Sequence, residues 1–416
     1  MKETLVIEGQ RPLYGNVKIS GAKNAGLVIM AASIMAEGET ILDNVPQIND
    51  VEIMIQILKE MGVDCHWNED RSLSICPPST DISKKTPYDL AKKVRASNLF
   101  LGSLLGRQRE AIISMPGGCD IGSRPMDLHL KGAQAMGAVV ELEHGYIYAC
   151  AKNPKGARVY LDFPSVGATE NIMMMASKTP GMTIVENAAK EPEIVDLANF
   201  INSMGGKVRG AGTDIIKIEG VPELKAGRYA IIPDRIEAGT YMVAAAVSGG
   251  EVEVENVIPT HLHPIIAKLQ ETGSTIFETE NGLIVKAGPK IIPADIKTMP
   301  YPGFPTDMQS QMLALLSTAE GTSVVVENVF ENRFQIVDEF KRMGAKIKVE
   351  GHSAVVEGHK NLFGARVKAT DLRAGAALVI LGLAAQGQTV IEEASYIFRG
   401  YENIAEKLQS LGARVK

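Results

Sequence analysis

One cysteine in this chain stands apart from the others by its setting. Met115-Pro-Gly-Gly-Cys-Asp-Ile-Gly-Ser-Arg-Pro125 carries four Pro or Gly residues before its arginine, which disfavours regular structure and predicts an exposed loop tip for Cys119. A thiol there can serve as a proton donor or a nucleophile, whereas Cys65, Cys76 and Cys150 are expected to be inert buried side chains. A second set of reactive types recurs in short polar stretches before apolar runs: SGAKNAG (Lys23), KKVRASN (Arg95), SVGATEN (Gly167), DRIEAGT (Arg235), PTDMQSQ (Asp307) and TDLRAGA (Arg373). Each stretch reads as a helix start, where unpaired backbone N–H groups and the positive dipole end favour anions. Lys23, Arg95, Arg373 and the further Arg124, Arg333 and Arg399 add fixed positive charge, so the expected ligands are polyanionic small molecules. Asp307 is the carboxylate of the set, able to cap its helix or to take a proton.

Those helix starts are positioned by a repeat. Glycines opening GETILDNV, GMTIVENA, GEVEVENV and GQTVIEEA, with looser versions at Gly106 and Gly321, are spaced 68, 75, 69, 71 and 66 residues apart. Each copy also ends a helix on a glycine before a strand, at Gly62, Gly137, Gly205, Gly273, Gly344 and Gly412, the expected left-handed helix stop. The interval between the two glycines is 24, 31, 24, 23, 23 and 25 residues, so the second copy alone carries an insertion, and that insertion holds Cys119. Strand, Ala-rich helix, strand, second helix and hairpin make each copy a βαβαββ unit. The sixth lacks its last strand at Lys416, and Thr4 to Gly9 supplies one.

Six units group as three and three around two cores, giving an α/β protein with a continuous domain at 22–232 inserted into a discontinuous one at 1–21 and 233–416. Two chain crossings make a hinged cleft the default ligand site. The chain has 416 residues with 43 basic and 49 acidic side chains and 5% aromatics, a balance that argues against a nucleic-acid partner. No CxxC pair occurs, and His261-Leu-His263 is a weak metal signal, so no metal is expected. The longest apolar run, Ala374 to Ala385, is too short to span a bilayer, and the start has no apolar leader, so a cytoplasmic enzyme with no membrane partner is expected.

Lys23-Asn24, the PGGC loop with Arg124-Pro-Met-Asp-Leu-His129, Ser165-Val-Gly-Ala-Thr169, Pro305-Thr-Asp307, Glu331-Asn-Arg333-Phe, Asp371-Leu-Arg373 and Arg399-Gly-Tyr401 together closely resemble the UDP-N-acetylglucosamine enolpyruvyl transferase family. The resemblance covers the whole chain and implies two inside-out α/β lobes of three units each. It implies transfer of the enolpyruvyl group of phosphoenolpyruvate to the 3′-hydroxyl of UDP-N-acetylglucosamine with release of phosphate, the first committed step of peptidoglycan synthesis. No metal or organic cofactor is implied. On this resemblance Cys119 is the proton donor, Asp307 accepts the hydroxyl proton, and Lys23, Asn24, Arg124 and Arg399 hold phosphoenolpyruvate. The UDP-sugar is expected against Arg95, Arg124, Pro125, Met126, Asp127, Leu128, Phe163, Pro164, Ser165, Val166, Asp307 and the backbone of Val329, with His129, Arg333, Asp371 and Arg373 in support. Two positions depart: Phe163 stands where many members have lysine, and Phe398 where an aspartate commonly precedes the arginine. The nearest rivals are the shikimate-pathway enolpyruvyl transferase, which lacks the PGGC loop, and a catalytically silent UDP-sugar-binding paralogue. A solenoid-like scaffold is a third.

Overall fold

The computed structural model describes residues 3–115 and 125–416, so Cys119 and Arg124 lie outside the described residues. The chain divides into two compact units: an inserted unit, residues 21–115 and 125–232, and a split unit, residues 3–20 and 233–416.

Each unit wraps sheets around three inner helices. In the inserted unit these are Lys23–Ser33, Phe100–Gln108 and Val166–Ser177. In the split unit they are Arg235–Ser248, Gln309–Leu316 and Leu372–Ala384. Most of their residues are buried on all sides, and the most apolar of them, LRAGAALVILGLA, is the kind of all-round hydrophobic helix that belongs inside a core. Small residues let them approach closely: a Cβ on Gly102 would lie 2.3 Å from the Asn171 carbonyl oxygen on the neighbouring inner helix. The second helix of each repeat is amphipathic instead. Asn49–Glu60 buries Val51, Met54, Ile55, Ile57 and Leu58 and leaves Glu52, Gln56, Lys59 and Glu60 in solvent. All six helix-stop glycines adopt positive φ, between 90° and 99°, where any side chain would be strained.

The described residues form five four-stranded sheets and one three-stranded sheet. In the third repeat Met182–Glu186 pairs parallel with Arg158–Tyr160 and antiparallel with Ile215–Glu219, which pairs in turn with Lys207–Arg209. Alternation along these strands turns Ile216 and Ile218 inward and Lys217 and Glu219 outward, the pattern of a sheet with one buried face. Each unit closes on itself. Arg228–Ala230, at the end of the inserted unit, pairs parallel with Thr40–Asp43 near its start. Thr4–Glu8 lies antiparallel to both Gln388–Glu392 and Arg414–Val415, so the first strand completes the last repeat. The second repeat is the irregular one, with a single parallel bridge from Lys85 to Ile112 where the others have a fourth strand.

The split unit is fastened where the chain leaves it. Lys407 Nζ reaches Ser20 Oγ at 2.7 Å and Glu237 Oε1 at 2.6 Å, while the Ser20 amide donates to Glu237 Oε2 at 2.8 Å. Burial pushes the Glu237 carboxyl up and Lys407 opposes it.

Candidate active site

In the split unit three of the sequence-selected residues meet. Asp307 sits in the 3-10 turn Thr306–Met308 that leads into an inner helix, and both its carboxylate oxygens are held by guanidinium groups. Arg333 Nη2 donates to Oδ1 at 2.7 Å, and Arg373 donates to Oδ2 through Nη2 at 3.1 Å and Nε at 3.3 Å. The arginine side chains are 2% and 5% exposed and Asp307 is 28% exposed, so the carboxylate is the one member of the trio that still faces outward. Burial works against the charge on Arg373, but Asp307, with Tyr401 and Asp234, more than offsets it and keeps the guanidinium firmly protonated.

The surroundings fix this clamp. Arg333 Nη2 also donates to the Thr306 carbonyl at 3.2 Å. Glu327, buried at the end of its strand, accepts from Thr298 Oγ1 at 2.8 Å, Thr306 Oγ1 at 3.0 Å and the Val329 amide at 2.8 Å, so it pins the turn that carries Asp307. The Val329 N–H is therefore committed to Glu327, which leaves the carbonyl as that residue's backbone group for a ligand. Asp371 caps its helix, its Oδ1 accepting from the Arg373 and Ala374 amides at 2.9 and 3.0 Å, and this frees the Arg373 side chain to reach Asp307. Asp234 caps the helix Arg235–Ser248 in the same way. The alternative expectation for Asp307, a helix cap, is corrected: the cap positions fall on Pro305 and Met308, Asp307 lies inside the 3-10 turn between them, and two arginines take its carboxylate. Arg399 ends the 3-10 turn Ala394–Arg399 and is half-buried, and Phe398 beside it packs on the unit's core.

In the inserted unit Lys23 is the first residue of its helix, and its Nζ lies 2.8 Å from Asp50 Oδ2 at the start of the next. Asp50 is buried and Lys23 is 12% exposed, so the ammonium is oriented by a carboxylate that sequence reasoning did not single out. Asn24 follows and is exposed. His129 is buried in the helix Asp127–Ala135, its Nδ1 2.8 Å from Asn171 Nδ2. Asn171 Oδ1 accepts the Gly102 amide at 2.6 Å, so its nitrogen faces the imidazole, which must accept on Nδ1 and carry its proton on Nε2. Burial, aided by the charge of Arg95, drives the His129 pKa down to about 3, so the ring is neutral and braces the helices. Its edge lies against Gly167, where a Cβ would stand 3.0 Å from the ring.

Arg95 opens the 3-10 turn Arg95–Leu99 and is half-buried. Pro125 and Asp127 are exposed, Leu128 is half-buried, and Met126 is buried with its sulfur 3.5 Å from Asn98 Nδ2. Phe163 is 46% exposed, and Pro164, Ser165 and Val166 are half-buried in the turn that Ser165 caps by accepting from the Ala168 amide. The cysteine expectation needs one correction: Cys65 is buried, which pushes its thiol up to about 12, but Cys76 and Cys150 end their strands half-exposed. Among the described residues no group of His, Cys, Asp or Glu is arranged to hold a metal ion, and no helix is long and apolar enough to cross a membrane.

Two units of inner helices sheathed by βαβαββ sheets are the architecture of enolpyruvyl transferases. The enolpyruvyl transferase NikO from Streptomyces tendae aligns with a TM-score of 0.89 at 24% identity, covering 100% of this chain and 99% of that one. EPSP synthase from Acinetobacter baumannii aligns with a TM-score of 0.76 at 19% identity and the same coverage. At those identities the likeness establishes the fold. In sequence, residues 7–408 match the family model for EPSP synthase (3-phosphoshikimate 1-carboxyvinyltransferase). UDP-N-acetylglucosamine 1-carboxyvinyltransferase 1 of Caldanaerobacter subterraneus is 55% identical over 415 residues, covering 100% of this chain and 99% of the relative. UDP-N-acetylglucosamine 1-carboxyvinyltransferase 2 of Carboxydothermus hydrogenoformans is 56% identical over 416 residues with the same coverage. The chain belongs to the UDP-N-acetylglucosamine 1-carboxyvinyltransferases, a transferase family within the enolpyruvyl transferase fold.

Proposed function

We propose that this protein transfers the enolpyruvyl group of phosphoenolpyruvate to the 3′-hydroxyl of UDP-N-acetylglucosamine, releasing phosphate, as a cytoplasmic step of peptidoglycan synthesis. Kinship with transferases named for this acceptor supports the reading, and the observation that carries the chemistry is an outward-facing carboxylate, Asp307, held between two buried guanidinium groups.

Asp307 accepts the 3′-hydroxyl proton as the sugar oxygen attacks C2. The two arginines fix its orientation, which matters more to a base than raw basicity when the reacting hydroxyl must arrive in line. Lys23, Asn24, Arg124 and Arg399 hold the phosphate and carboxylate of phosphoenolpyruvate, and Asp50 steers the Lys23 ammonium. Cys119 gives a proton to C3, turning the methylene into a methyl group and C2 into a centre of oxocarbenium character. The tetrahedral adduct then loses a proton from C3 and phosphate from C2. His129, neutral and occupied by Asn171, is a brace and not an acid or base. Arg95, Pro125 to Leu128, Phe163 to Val166 and Val329 receive the UDP-sugar, with Phe163 offering an apolar ring in place of a cation.

The test is phosphate release from phosphoenolpyruvate with two acceptors. Release with UDP-N-acetylglucosamine and none with shikimate 3-phosphate is expected; the reverse would move the protein to the shikimate acceptor, and binding of the UDP-sugar without release from either would make it a silent paralogue. Cys119→Ser should cost about 10²- to 10⁴-fold in turnover, since a hydroxyl is too weak an acid for carbon, while Cys119→Asp should stay active.

A further inference from the structure

We propose that Tyr401 is a positioning residue that sets the angle of the Asp307 carboxylate by locking the Arg373 guanidinium. The inference rests on the reading of Asp307 as the base.

Tyr401 is 1% exposed and lies two residues beyond the turn that ends at Arg399. Its hydroxyl stands 2.9 Å from Thr240 Oγ1, 3.3 Å from Gln311 Nε2 and 3.3 Å from Arg373 Nη1. These partners come from the three inner helices of the split unit, so the phenol ties all three together at one atom.

The direction of every hydrogen bond can be worked out. A guanidinium only donates, so Arg373 Nη1 donates to the phenol oxygen. Gln311 must present its nitrogen, because Nε2 also lies 2.9 Å from the Asp307 main-chain carbonyl, which only accepts; its second N–H points between the Tyr401 hydroxyl and Thr240 Oγ1, each at 3.3 Å. Two incoming donors use both lone pairs of Tyr401, so the phenol proton goes to Thr240 Oγ1. Thr240 in turn donates to the Ile236 carbonyl at 2.7 Å. Burial keeps the phenol protonated, as this role requires. The chain Arg373 to Tyr401 to Thr240 to backbone therefore runs in one donor direction.

With Nη1 spent on Tyr401, the guanidinium plane is fixed and its other edge, Nε and Nη2, is presented to Asp307 Oδ2. Arg333 holds the opposite oxygen from an independent element. Without the phenol oxygen, Nη1 loses a buried acceptor and the guanidinium turns to find another. Asp307 then keeps Arg333 but loses its second restraint, and a base misaligned by a fraction of an ångström loses rate without losing ligand contacts.

Tyr401→Phe removes the oxygen and little else. The kcat for phosphate release is expected to fall about tenfold while both KM values stay within about twofold, the pattern of a lost transition-state alignment. Thr240→Val should show a smaller loss and Thr240→Ser should restore the wild-type rate. In an Arg373→Lys background, which has no fork to lock, adding Tyr401→Phe should cost less than about twofold more, because both changes break one path. A Tyr401→Phe enzyme with full kcat, losses that multiply across the two substitutions, or KM rising in step with the fall in kcat would each overturn the proposal. A wild type that releases no phosphate with UDP-N-acetylglucosamine overturns the functional reading and this inference with it; an active wild type indifferent to Tyr401→Phe overturns this inference alone.

Discussion

The two units share a backbone plan and differ in the polar clusters that join their helices. In the split unit full charges meet, Asp307 between Arg333 and Arg373; the inserted unit has the Lys23–Asp50 ion pair and, apart from it, a cluster of an amide and a neutral imidazole, Asn171 and His129, around the Gly102 backbone. Both arrangements satisfy buried groups and join helices, so neither is needed to make the fold rather than the other. The difference lies in the outward side: the charged trio leaves a carboxylate exposed, while the neutral pair is sealed inside. A fold of repeats can thus leave one buried polar cluster open to a ligand and seal another as a brace.

Removing one partner from an ion pair in each unit should have different effects. Arg373→Met strands Asp307 beside Arg333, deletes a buried charge-assisted fork and should cost about 3–5 kcal/mol of stability, with turnover near background. Denaturant melts and phosphate release on the same preparation check both effects. In the inserted unit, Asp50→Asn takes a carboxylate charge from beside the Lys23 ammonium; here a rise in KM for phosphoenolpyruvate of about tenfold is expected, with kcat less affected, and an unchanged KM would remove Lys23 from the ligand's reach.

The neutral centre makes a prediction of its own in acid. His129 has a folded pKa near 3 against 6.5 for an ordinary histidine, so below pH 6.5 the unfolded chain takes up a proton that the folded one refuses. Stability should fall from pH 6.5 downward, by roughly 4 kcal/mol from this residue alone as pH nears 3. His129→Gln, which cannot titrate, should flatten that part of the profile in urea melts run across the range. A profile with the same slope in both proteins would show that the imidazole protonates in place.

Much of this was legible in the chain because repetition exposes both the rule and its exceptions. The six stop glycines, the Ala-rich inner helices and the unclaimed first strand were each recognisable from pattern, since they answer to local geometry: positive φ, all-round burial and an unfilled sheet position. The polar residues at helix starts were recognisable for the same reason. What escaped were partners joined only by the fold. Asp50 is 27 residues from Lys23 and Tyr401 is 161 residues from Thr240, and no spacing rule links either pair. Tyr401 did stand in the Arg399-Gly-Tyr401 motif, but nothing in that spacing shows that its hydroxyl meets three helices. Glu327 and Asn171 gave no signal beyond being polar residues next to apolar strands and helices, which burial turned into anchors.

The proposed reaction rests most directly on Asp307 as the group that takes the sugar proton. Asp307→Asn keeps the shape, can still accept from one arginine, and cannot act as a base. Single-turnover phosphate release should therefore fall by about 10²- to 10⁴-fold, while calorimetry still detects the UDP-sugar with affinity weakened no more than about tenfold, the worth of one hydrogen bond. Turnover within about threefold of wild type by a variant that melts and binds normally would contradict the account, and would reduce the Arg333–Asp307–Arg373 trio to a structural ion pair.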